Sequence, residues 1–108
     1  MKNNNCKINL QNDCAINNIL VEVCLGLKIN NFEEKIGARK EVVIKLLEKL
    51  SEEEKLGVIE TYLTPSEVAI LKKAFKVVKE EIEEWDFHTR IGSYLNEVEN
   101  LPIFQEPN

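Results

Sequence analysis

Five carboxylates stand within seven residues at Glu80, Glu81, Glu83, Glu84 and Asp86, with Trp85 inside the run and His88 just beyond it. A set this dense makes a focused negative field, better suited to steering and holding a basic partner than to performing a reaction. Glu84 and His88 are four apart, so a continuous helix would place them on one face. A metal site there needs a further ligand from elsewhere, and the chain has one histidine. No metal and no cofactor is therefore expected.

A second set is basic. Arg39, Lys40, Lys45 and Lys49 follow Gly37, and a glycine turn leading into a basic helix is what a DNA reader offers the major groove. Glu41 and Glu48 share that helix and oppose contact with phosphate. The triplet His88-Thr89-Arg90 reads as a turn, with Arg90 neutralising the end of a helix.

Cys6, Cys14 and Cys24 form no C-x-x-C pair and no disulfide framework. Cys24 falls in an apolar helical stripe, and Cys14 belongs in a first helical turn, where the dipole favours a thiolate. No base stands at a recognisable spacing from Cys14. No carboxylate pair, phosphate loop or nucleophile–base set is legible, so an enzyme is not expected.

Residues of these types need elements to hold them. The 108 residues are 44% hydrophobic and 31% charged, a globular composition for one domain. The net charge is −5, and it is uneven: residues 1–50 carry +2 and residues 51–108 carry −7. The polar opening Met1-Lys2-Asn3-Asn4-Asn5 lacks the apolar stretch of a signal peptide, so residues 1–9 are expected to be a flexible arm. The apolar stretch 19–27 is interrupted by Glu22 and is too short to cross a bilayer. A reducing cytoplasm is the expected compartment. The abundance of Asn, Lys and Ile fits an AT-rich bacterial or phage genome.

Helical periodicity is strong. Ile16, Ile19, Leu20, Val23, Cys24 and Leu27 make one stripe after Asp13, which is placed as an N-cap. Asn30 and Asn31 end that stretch, and a short turn from Phe32 stops at Gly37. Val42, Val43, Leu46, Leu47 and Leu50 stripe a helix over residues 38–50. Ser51 with Glu54 predicts a capping box opening a linker helix that buries Leu56, Ile59 and Leu63. Thr64-Pro65-Ser66-Glu67 predicts another box, starting a helix to about residue 84 that buries Val68, Leu71, Phe75, Val78, Ile82 and Trp85. A last helix runs from Gly92 and Ser93 to Leu101, stopped by Pro102. No segment alternates with period two, so no sheet is expected. The apolar pair Ile103 and Phe104 in the tail is expected to fold back.

A shift of 55 lays Phe32 on Phe87, Lys35 on Arg90, Ile36 on Ile91 and Gly37 on Gly92. The same shift lays Ile16, Ile19, Leu20 and Val23 on Leu71, Ala74, Phe75 and Val78. The reading is an all-α compact bundle of about five helices, built from two pseudo-symmetric helix–turn–helix repeats. Repeat one spans residues 10–50, the linker helix 51–64, repeat two 65–101 and the tail 102–108. Phe32 and Phe87 are expected to plug the two corners.

In size, charge and helicity the chain resembles small bacterial inhibitors such as toxin immunity proteins and antitoxins, and phage-encoded inhibitors. With the focused charge of the acidic run, the expected function is that of a non-enzymatic interaction or inhibitor protein presenting Glu80, Glu81, Glu83, Glu84 and Asp86 to a basic protein partner. A homodimer is compatible with it, and no membrane is involved. The alternative is a helix-turn-helix nucleic-acid-associated regulator using residues 32–50.

Overall fold

A computed structural model of the chain describes residues 5–11 and 13–105. In order it runs β1 (Cys6–Asn9), α1 (Cys14–Val21), a π turn (Glu22–Gly26), α2 (Phe32–Ile36), α3 (Lys40–Lys55), β2 (Glu60–Leu63), α4 (Pro65–Glu81), α5 (Glu84–Ile91), α6 (Leu95–Glu99) and a closing 3-10 turn (Pro102–Phe104). The chain is mostly helical and compact, as the stripes predict. Six α-helices stand among the described residues, where about five were expected.

The sheet is the first correction. β1 and β2 pair antiparallel, with Cys6 opposite Leu63, Lys7 opposite Tyr62 and Ile8 opposite Thr61. Ile8, Thr61 and Leu63 are buried, while Lys7, Glu60 and Tyr62 face outward and Lys7 pairs with Glu60 at 3.3 Å. Residues 6–9 are thus a strand and not part of a flexible arm. Residues 1–4 of that expected arm and 106–108 of the tail lie outside the described residues.

The linker helix is the second correction. Ser51 does not open a helix but lies inside α3, which continues to Lys55, and its hydroxyl donates to Asn17 Oδ1 at 3.3 Å. The chain then turns at Gly57 and enters β2, so Leu56 and Ile59 are exposed and Leu63 alone of that set is buried. The buried hydroxyl of Thr61 donates to Glu53 Oε2 at 3.2 Å, which ties β2 back to α3.

α4 begins as the sequence dictates. The Thr64 hydroxyl accepts from Glu67 N at 3.2 Å, the Glu67 carboxylate accepts from Thr64 N at 2.8 Å, and Pro65 occupies the first turn. Its end does not match. Ile82 leaves the helix in extended geometry (φ −108°, ψ 127°) and buries its side chain. Asp13 sits at the cap of α1 without capping it, and its carboxylate accepts instead from Asn9 N at 3.0 Å. Val42 is half exposed on α3 in spite of its place in the stripe.

One core runs through the described residues. α1 lies at its centre against α3, α4 and α5, and α4 covers α1 and α2. The tail folds back: Ile103 is buried and the Phe104 ring lies 4.5 Å from that of Phe75. The two corners share their backbone. Gly37 (φ 86°, ψ 11°) and Gly92 (φ 87°, ψ 4°) each cap a helix in the left-handed region that glycine enters without strain. The corner aromatics differ, since Phe87 is 1% exposed and Phe32 only half-buried. Phe32 therefore does not plug its corner as Phe87 does.

Each corner is covered from across the molecule. A Cβ on Gly37 would lie 3.0 Å from Lys73 Nζ of α4, and one on Gly92 would lie 3.3 Å from Asn18 Nδ2 of α1. Asn18 Nδ2 donates to the Ile91 carbonyl at 2.7 Å, satisfying one of the open acceptors at the end of α5.

Candidate functional site

The break at Ile82 makes the site. A helix continued through residue 85 would turn the indole inward. The extended Ile82 and the N-cap Glu83 instead restart the chain as α5, leaving Trp85 in its first turn and 80% exposed. The expected burial of Trp85 is therefore corrected. The five carboxylates are divided by the break. Glu80 and Glu81 end α4, Glu83 caps α5, and Glu84 and Asp86 sit at its N-terminus, where the helix dipole favours negative charge.

Gly92 folds the chain back, and α6 starts with the Glu97 carboxylate accepting from Tyr94 N at 3.0 Å. This places Tyr94 over α5, where its ring stacks on His88 at 4.0 Å with 10° between the planes. Glu84, Trp85, His88, Tyr94, Leu95 and Glu99 line one open cleft of about 600 Å3. Glu84 and His88 do share a face, as their spacing predicts, but what they share it with is aromatic. Among the described residues no three His, Cys, Asp or Glu side chains gather to hold a metal.

The charges around the cleft are not equivalent. Asp86 is bound to Arg90 Nε at 2.9 Å, and the same guanidinium reaches Glu22 of the π turn at 3.5 Å. Asp86 thus helps anchor α5 to the rest of the fold. Glu99 pairs with Lys79 at 3.8 Å. Glu80, Glu81, Glu83 and Glu84 are exposed, and among the described residues no cation stands within ion-pair distance of them. They remain available to an outside charge.

The basic set lies along α3, with Lys45 and Lys49 in one cleft beside Glu67. Arg39 caps α3, Lys40 opens it, and Lys45 and Lys49 follow along its exposed side with Glu41 and Glu48 between them. Lys49 is spent on Glu67 at 3.8 Å. Sequence reasoning passed over a second basic row. Lys72, Lys76 and Lys79 line a cleft on α4 with Phe75, Phe104 and Glu99, which pairs with Lys79, and their steps of four and three were the available signal. It also missed Tyr94, whose only sequence signal is its closeness to Gly92.

None of the three cysteines lines the cleft. Burial pushes the Cys24 thiol upward, and the opposing pull of Lys40 is the smaller influence, so it stays a protonated apolar filler. Cys14 is exposed and Cys6 half-buried, and neither is bonded to another cysteine. No helix of the described residues is long and apolar enough to cross a membrane.

Comparison with protein-family models, with curated proteins and with solved structures finds no match to the chain.

Proposed function

We propose that the chain is a non-enzymatic interaction protein that presents the α5–α6 corner to a basic segment of a protein partner. The observation that carries this reading is the exposure of Trp85 and Tyr94 beside Glu84, which among the described residues has no cation within ion-pair distance, whereas Glu99 and Asp86 are already paired. Exposed aromatics grouped in a cleft mark a contact surface, and a free carboxylate on its rim favours a cationic cover.

The same corner in the first half supports it. At a shift of 55, Trp85, His88 and Tyr94 correspond to Asn30, Glu33 and Arg39. Arg39 (φ −66°, ψ 151°) and Tyr94 (φ −72°, ψ 149°) cap their helices with nearly the same backbone. Polar side chains thus suffice to make this turn, and the aromatics of the second half answer to some other need.

The halves are best read as two copies of one unit related by a pseudo-twofold axis. Lys7 and Tyr62 are 55 apart and lie opposite each other in the ribbon, where such an axis would pass. Asn18 and Lys73 are also 55 apart, and each covers the other half's corner glycine. Equivalence predicts that Gly37→Ala and Gly92→Ala each lose about 1–2 kcal/mol of stability, since both force a side chain into the left-handed region. Urea denaturation followed by circular dichroism checks this, and a loss at only one of the two removes the equivalence.

Neutralising Glu80, Glu81, Glu83 and Glu84 together to glutamine is expected to weaken binding of a lysine-rich polypeptide at low salt by about tenfold or more. Asp86 is kept, because it holds Arg90. Titration calorimetry at two salt concentrations reads the result. Unchanged affinity would remove the acidic-face reading.

The nucleic-acid alternative through Arg39, Lys40, Lys45 and Lys49 has less behind it, because Glu41 and Glu48 stand among those cations and Lys49 is already paired.

A further inference from the structure

Resting on that reading, we infer that the α5–α6 cleft is a seat for an arginine side chain of the basic partner, its guanidinium laid on the aromatic faces of Trp85 and Tyr94. Three observations narrow the occupant. The cleft offers aromatic surface in an open, water-accessible form: Trp85 is 80% and Tyr94 58% exposed, and the Tyr94 ring is held flat against His88. Its rim carries Glu84 and Glu99, and the unpaired Glu80, Glu81 and Glu83 stand close by in the chain. The second half carries −7, so the long-range field also draws cations toward this end of the sequence.

A phosphate-bearing ligand is repelled by those carboxylates. An apolar helix would cover them without pairing them, and buried unpaired charge is costly. A cation remains. Of the two basic side chains, arginine fits better: its guanidinium is planar, weakly hydrated and stacks on aromatic rings while its N–H fork reaches a carboxylate. The lysine ammonium is a compact, strongly hydrated charge that gains less from a flat aromatic face. Glu84 is the free acceptor on the rim, whereas Glu99 must share its charge with Lys79.

Trp85 is the one tryptophan of the chain, so its fluorescence reports this cleft and nothing else. The test titrates the whole protein with a short peptide alternating arginine and glycine, and with its lysine counterpart, at equal ionic strength. The arginine peptide is expected to shift or quench Trp85 emission with half-saturation at about tenfold lower concentration than the lysine peptide. Tyr94→Ala is expected to abolish that preference while keeping the far-ultraviolet dichroism of the parent. Trp85→Ala, read by calorimetry, is expected to do the same. Equal half-saturation for the two peptides, unmoved by Tyr94→Ala, overturns the arginine seat and leaves the acidic face standing. Failure of both peptides to bind overturns the arginine seat and the acidic face together.

Discussion

Phe87→Ala is expected to lose about 3–5 kcal/mol of stability, the range for emptying a large aromatic from a closed core. Phe87 is 1% exposed, and its ring meets that of Phe75 edge to face at 6.3 Å with 65° between planes. Phe75 in turn packs on Phe104, so the hole would open beneath α4 and the folded-back tail together. A domain of this size holds about 5–15 kcal/mol in all, so the variant should melt at least 10 °C lower, roughly. Phe32→Ala, at the corresponding place in the first half, is expected to lose under about 2 kcal/mol because that ring is already half in water. Thermal melts and urea curves followed by circular dichroism decide it. Equal losses at the two positions would mean that both rings plug their corners alike.

The second large effect lies in the ribbon. Leu63→Asp is expected to prevent folding or to lose more than about 4 kcal/mol, because it places a carboxylate in a fully closed apolar site with no partner. Tyr62→Asp, one residue earlier, is expected to change stability by less than about 1 kcal/mol. Tyr62 points to solvent on the opposite face of the strand, across from Lys7, which a new carboxylate can approach. The contrast tests the strand itself. If residues 60–63 were helical, neighbouring positions would not alternate so sharply between the two environments.

That strand shows where the residue order is readable and where it is not. The Thr64 box, the positive φ at Asn31, Gly37 and Gly92, and the inward faces of α1, α3 and α4 follow from local rules about caps, glycine and periodicity. The ribbon does not. Each strand is only four residues long, too short for alternation to stand out, and each needs a partner far away in the chain. Residues Glu52, Glu53, Glu54 and Lys55 favour helix, which let α3 run on through Ser51 and hid the turn at Gly57. The break after α4 was equally hidden. Neither glycine nor proline marks it, and the residues around it are good helix formers. What ends the helix is the burial of Ile82 in a core assembled from remote elements.

The candidate site was half legible for the same reason. The carboxylates of residues 80–86 are visible as a run, and their charge alone suggests a basic partner. The indole continues the stripe of Phe75, Val78 and Ile82, which points it to the interior, and only the break reverses its direction. Tyr94 depended on the same event one step later, since the Gly92 turn sets α6 against an α5 that the stripe did not foresee.

The reciprocal cover of the two corner glycines has a consequence for how the chain comes apart. The first half's leading helix shields the second half's bend, and the second half's leading helix shields the first. Parting the two halves would bare both bends at once, strip the Ile91 carbonyl of its donor and unzip the ribbon. A fold clasped in this way is expected to melt as a single cooperative event and not one half at a time.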